Sequence, residues 1–189
     1  MSDTQTPRLN MEVLRPSHAA ELFDPFQPAE LYRYIPGKPP ATLADLQRGY
    51  GEFAAGAPAD SGELWLNWVV RERSSHQCIG TLQATVFADG LLWVGYKFAP
   101  AHWGQGYASE ALRWLLGELA RRLPGRAILA AADHRHLASI RVLQKAGFRF
   151  LRREAAELHG EASQDDIYRY QAAVTEADHV QAASAAGSR

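Results

Sequence analysis

The sequence predicts an α+β fold built on a mixed, mostly antiparallel central sheet with helices on its faces. Three observations carry this. Strand-like runs at 63–70, 78–87 and 91–99 follow one another with turn chemistry between them, Asp89–Gly90 above all. The apolar period then becomes that of a one-faced helix through Ala108, Ala111, Leu112, Leu115, Leu116, Leu119 and Leu123. A short apolar run at 127–132 and a second helical stretch at 139–146 lead into a closing strand pair.

Taken in order, RLNMEVL (8–14) reads as a first strand, and Pro16–Ser17 open a helical stretch through Leu22 and Phe23. Six prolines and glycines make 24–40 loop-like. Thr42 is placed as the N-cap of a second helix ending near Gly56–Pro58. After the three-strand meander comes the long helix, with Glu110 near its start and Arg121 and Arg122 near its end, as the macrodipole favours. Pro124–Gly125 stops it, and Gly147 closes the next helix as a C′ residue. GFRFLRRE and DDIYRYQ form the closing strands. The boundaries are a single domain over 1–171 and a disordered tail over 172–189, rich in Ala and Ser without periodicity.

Bulk properties exclude several classes. A net charge of −1 carries no nucleic-acid or membrane footprint. Cys78, the only cysteine, rules out an internal disulfide and a multi-cysteine metal site. No apolar run reaches the ~18 residues of a membrane span. The expectation is a soluble cytoplasmic protein, monomer or homodimer.

Gly104-Gln105-Gly106 lies between the strand at 91–99 and a helix starting near Tyr107. Glycines there allow a tight turn and close ligand approach, and the open N–H groups of a first helical turn favour an anion. A Walker loop fails because no lysine follows either glycine. A dinucleotide fingerprint would place Ser109 third and use Asp133 as the later acid, but such a fold normally begins with that motif. A plain tight turn into a packed helix is the remaining structural alternative.

WGQGYASEAL (103–112) resembles the pyrophosphate loop of the GNAT N-acetyltransferases, patterned [QR]-x-x-G-x-[GA]. Trp103 stands at the leading position, as in the Rim-type branch that acetylates ribosomal-protein N-termini, with Gly106 and Ala108 in the glycine and small-residue positions. VGYKFAPAHWGQGYASEAL is similar to the family's fourth strand and next helix, and ASIRVLQKAGFRF to its second signature. The resemblance covers about residues 7–172.

That resemblance implies acetyl-CoA as co-substrate and direct attack of an amine on its thioester, with no covalent enzyme intermediate. The reaction needs a neutral amine, stabilisation of the thioester oxygen and a proton for the leaving thiolate. The cofactor-binding set it implies is Phe98, Ala99, Trp103, Gly104, Gln105, Gly106, Tyr107, Ala108, Ser109 and Ser139. Backbone N–H groups near Phe98 and Ala99 are expected to polarise the carbonyl. Ser139 is placed near the sulfur as an acid, and as a residue of the helix start it also suits a capping role. Ser139 and His136 are the candidate catalytic residues; His136 stands where relatives carry asparagine. Tyr34, Trp65 and Trp93 are expected on the acceptor side, with Tyr32 and Trp68 as further rings and Glu63, Asp166 and His76 as polar candidates. Alternation along a strand keeps these rings from sharing one face.

Trp93 also occupies the position where relatives often carry a glutamate base. An α-amine of pKa ~7.7–8 is roughly 10–20% neutral at pH 7, whereas a lysine amine is neutral in about one molecule in 2,500. A missing base therefore favours an N-terminal or small-molecule amine over lysine. The rival classes are a CoA-binding module without catalysis and, further off, a nicotinamide-dependent oxidoreductase. No metal is expected: Asp133, His134 and His136 have weak ligand spacing.

Overall fold

A computed structural model describes residues 4–171. The tail predicted over 172–189 lies outside the described residues. Seven strands form one sheet in the order β1-β2-β3-β4-β5-β7-β6. They are β1 (Leu9–Val13), β2 (Leu64–Glu72), β3 (Cys78–Val86), β4 (Leu92–Phe98), β5 (Ile128–Asp133), β6 (Phe148–Leu158) and β7 (Glu161–Tyr170). The helices are α1 (Ala19–Leu22), α2 (Leu43–Ala55), α3 (Tyr107–Arg122) and α4 (Leu137–Lys145). Every strand pair is antiparallel except β4–β5, which α3 joins as a parallel crossover. The fold is the predicted α+β arrangement, in the predicted order.

Alternation on β2 divides the core between the two sheet faces. Trp68 and Val70 pack with Leu112, Leu115 and Leu119 of α3, while Val69 packs with Leu22 of α1, Phe26 and Tyr50 of α2. Trp68 and Trp114 of α3 meet edge to face, with centroids 5.6 Å apart. The Thr42 hydroxyl accepts from the Asp45 N–H at 3.1 Å, so the predicted N-cap is formed. The predicted helix over 16–23 is shorter: a 3₁₀ turn at Pro16–His18 precedes the single turn of α1.

The closing hairpin is longer than predicted. Its strands run on to Leu158 and Glu161, joined by His159 and Gly160. Both turn residues have positive φ, 56° and 82°, as a type I′ turn requires. The Nε2 of His159 lies 2.7 Å from the Tyr32 carbonyl, which ties this hairpin to the loop between α1 and α2.

Candidate active site

The site begins where two strands part. β4 and β5 pair only at Leu92–Ile128 and Trp93–Leu129. Beyond that the sheet splits and opens a cleft of about 610 Å³. Tyr96, Lys97 and Phe98 of β4 form one wall, and His136, Ser139, Arg141 and Lys145 the other. The loop from Trp103 to Ser109 and Tyr34 complete the lining.

Strand geometry decides which backbone groups face this gap. The Ala99 N–H donates to the Ile79 carbonyl on β3 at 2.9 Å. Neighbouring residues of a strand point their N–H groups to opposite edges, so the Phe98 N–H faces the gap. Leu92, of the same parity as Phe98, donates toward β5 through the Ala127 carbonyl, in agreement with this. The expectation for Ala99 is therefore corrected: its N–H is bonded into the sheet, it is buried, and it does not line the cleft. Gly80 lies opposite Phe98, and a Cβ there would meet the Lys97 carbonyl at 2.6 Å and the Phe98 ring at 2.7 Å. Only glycine lets the end of β4 lie this close to β3.

The loop is built by its glycines and held from outside. Gly104 and Gly106 have φ of 73° and 83°. The N–H groups of Tyr107, Ala108 and Ser109 have no carbonyl one turn back within the helix; Glu110 is the first to donate, to Gly106 at 3.1 Å. Trp103 donates its indole N–H to the Phe98 carbonyl at 2.7 Å, which fixes the loop to the end of β4. The Gln105 side chain donates to the Ala101 carbonyl at 3.1 Å, so the role expected of this residue rests on its backbone N–H.

Arg8, not singled out from the sequence, donates to the Gln105 carbonyl at 2.9 Å and to Glu110 at 2.7 Å, and its guanidinium lies over the Tyr107 ring. Tyr107 also bonds Glu72 through its hydroxyl. The segment leading into β1 thus braces the loop, a long-range contact that local motifs do not reveal.

Across the gap, the Ser139 and Tyr96 hydroxyls are 2.8 Å apart, and the Tyr96 hydroxyl also reaches the Ser139 carbonyl at 3.1 Å. Burial pushes the tyrosine up to about 12, against the opposing effect of its bond to Ser139, so both groups keep their protons at neutral pH. They can relay a proton to an atom in the gap. His136 sits at the N-cap of α4 without a capping bond. Its ring packs against Tyr34, 5.2 Å between centroids, and burial lowers its pKa, so the imidazole is neutral.

The Lys97 ammonium lies against two aromatic rings. It is 4.4 Å from the Phe26 ring centre and 5.6 Å from that of Tyr32. Burial pushes it down to about 8.

Other predicted residues lie elsewhere. Trp65 and Trp93 share a cross-strand row with Thr85, four residues along β4 from Lys97, a distance of ~13 Å. Neither is among the residues that line the cleft. Trp65 donates instead to Glu63 at 2.7 Å and meets Phe53 edge-on. Asp166 is buried against Arg153, and His76 is exposed in the turn between β2 and β3. Asp133 is held by Arg135 and Ser163, and the Arg135 guanidinium beside it keeps its carboxyl well below the usual range. Among the described residues, no three His, Cys, Asp or Glu side chains come together as a metal site. No described helix is long and apolar enough to cross a membrane. Glu30, exposed at the rim, is the one carboxylate among the described lining residues.

Comparisons with known proteins agree with this geometry. A family model described as an acetyltransferase (GNAT) domain matches residues 8–149. The uncharacterized protein YkkB of Bacillus subtilis is 29% identical over 103 residues, which span 46% of this chain and 59% of that protein. The structure of the ribosomal-protein-S5-alanine acetyltransferase of Vibrio fischeri is 18% identical, covers 87% of this chain and 93% of its own, and superposes with a TM-score of 0.74. RimL, a ribosomal-protein α-N-acetyltransferase in complex with coenzyme A, is also 18% identical, with coverage of 87% and 94% and a TM-score of 0.73. At such identity these two structures speak for the shared fold. The family match runs through the split strands, the glycine loop and the helix that carries Ser139: the chain belongs to the GNAT acetyltransferase family.

Proposed function

We propose that the cleft takes acetyl-CoA as co-substrate and that the enzyme moves the acetyl group to a primary amine by direct attack in a ternary complex. The observation that carries this is the meeting, in one gap, of the open N–H groups at the start of α3, the Phe98 N–H and the Ser139–Tyr96 hydroxyl pair. The residues fit the ligand. A Cβ built on Gly104 would meet nothing within 4 Å, so the loop is open to a pyrophosphate, and Arg141 and Lys145 add positive charge on the facing helix. The free edge of β4 offers strand-like bonding to an extended pantetheine arm, in the place β5 has left.

Three roles follow. The Phe98 N–H donates to the thioester oxygen as charge builds there. Ser139 gives a proton to the departing sulfur, with Tyr96 holding its hydroxyl in place. Tyr34 and His136 narrow the opening and exclude water.

The acceptor is a protein N-terminal α-amine or a small-molecule amine. No buried carboxylate lines the described cleft to deprotonate an ordinary lysine, and one fold neighbour, RimL, is a ribosomal-protein α-N-acetyltransferase. A cytoplasmic location goes with this reading. The test is a panel of amines, including paired α-amine and lysine peptides, assayed by release of free CoA thiol. Preferential turnover of the α-amine or small-molecule arm supports the proposal. A lysine preference overturns the acceptor class. Tight acetyl-CoA binding with no thiol release from any amine would favour a module that binds without catalysis.

A further inference from the structure

An acetyltransferase cleft that contains its own amine raises a chemical question. Lys97 precedes Phe98, the residue whose N–H faces the thioester position, and is one of the residues that line the same cleft. It makes no ion pair or hydrogen bond with another described residue; its neighbours are the Phe26 and Tyr32 rings. Here neither Glu30 nor Asp133 bonds it, although Arg8, Arg71, Arg135 and Arg153 all have carboxylate partners.

We propose that Lys97 is a self-acetylation site, taking the acetyl group from acetyl-CoA bound in the cleft when no other acceptor is present. The inference rests on the acetyl-CoA reading of that cleft. In the step, the Nζ lone pair forms a bond to the thioester carbonyl carbon and the carbon–sulfur bond breaks. The sulfur leaves with its electron pair and takes a proton from Ser139, the nitrogen releases its proton to solvent, and Ser139 regains one from solvent. The products are Nε-acetyl-lysine and free CoA thiol, with no further reactant. With the amine pushed down to about 8, roughly one Lys97 in ten is neutral at pH 7, against about one in 2,500 for an ordinary lysine. The modified side chain would carry no charge, so the acceptor end of the cleft would lose its cation.

The chain makes this simple to test, because it has three lysines only, Lys38, Lys97 and Lys145. Purified full-length protein is incubated with acetyl-CoA at pH 7.5 without an acceptor, and the acetylated peptides are mapped over time. A parallel sample is held unfolded in urea. The expected result is a gain of one acetyl group at Lys97, at least tenfold faster than at Lys38, lost in urea and slowed by a competing amine substrate. Lys97→Arg should abolish that gain, and Lys97→Met serves as a second variant should arginine perturb folding. Acetylation of Lys97 no faster than Lys38, or equally fast in urea, overturns the inference. Two further readouts on the same protein separate the claims. If acetyl-CoA raises the Tm and an α-amine peptide is turned over while Lys97 stays unmodified, self-acetylation falls and the enzyme reading stands. If acetyl-CoA neither binds nor reacts, both fall.

Discussion

Lys97→Met should make the protein more stable at neutral pH. Burial pushes the Lys97 amine from its ordinary 10.5 down to about 8, a shift worth about 3 kcal/mol at ~1.36 kcal/mol per pKa unit. Because the folded value lies below the unfolded one, this side chain favours folding fully above pH 10.5. The contribution disappears as pH falls through 8. Methionine keeps an unbranched stem over the rings and carries no charge. At pH 7 the variant should therefore gain about 3 kcal/mol, or about 6–12 °C in Tm for a chain of this size. The difference should shrink towards zero by pH 10. Urea unfolding of both proteins at pH 7 and pH 10 reads this directly. Equal or lower stability of Lys97→Met at pH 7, or a difference independent of pH, would refute the picture of an unpaired buried cation.

Three other predictions concern the cleft. Ser139→Ala should lower kcat by about 10²-fold with little change in the KM for acetyl-CoA, and Tyr96→Phe by a smaller factor, because the tyrosine acts through the serine; steady-state kinetics over both substrates checks this. Gly106→Ala forces a Cβ into a left-handed conformation at about 1–2 kcal/mol, so calorimetry should give acetyl-CoA binding weaker by about 5–30-fold, with a smaller loss for Gly106→Asn. Gly80→Ala should destabilise the fold by about 1–3 kcal/mol, and it should lower activity in the protein that still folds, because its Cβ displaces the strand end that presents the Phe98 N–H.

What the sequence revealed was local. The α3 periodicity, the Thr42 cap, the Asp89–Gly90 turn and the glycine loop each depend on residues close in the chain, and all stand in the structure. What it concealed depends on strand pairing. The roles of Phe98 and Ala99 differ because one N–H faces β3 and its neighbour faces the gap, and that parity is fixed only by the register with β3. The tryptophans illustrate the same point. Trp93 lies on the Lys97 face of β4, as alternation requires, yet the strands part only beyond it, so the cleft misses it. Arg8 reaches a loop about a hundred residues away, which no motif encodes. The Tyr96 hydroxyl became meaningful only once α4 placed Ser139 against it.

The most direct test of the account is hydrogen–deuterium exchange with and without saturating acetyl-CoA. The gap between β4 and β5 should be the binding site, so amides at 104–109 and at 96–98 should exchange more slowly with ligand, while the outer strand β6 stays unchanged. Protection confined to other parts of the sheet, or none under conditions where acetyl-CoA is bound, would contradict it.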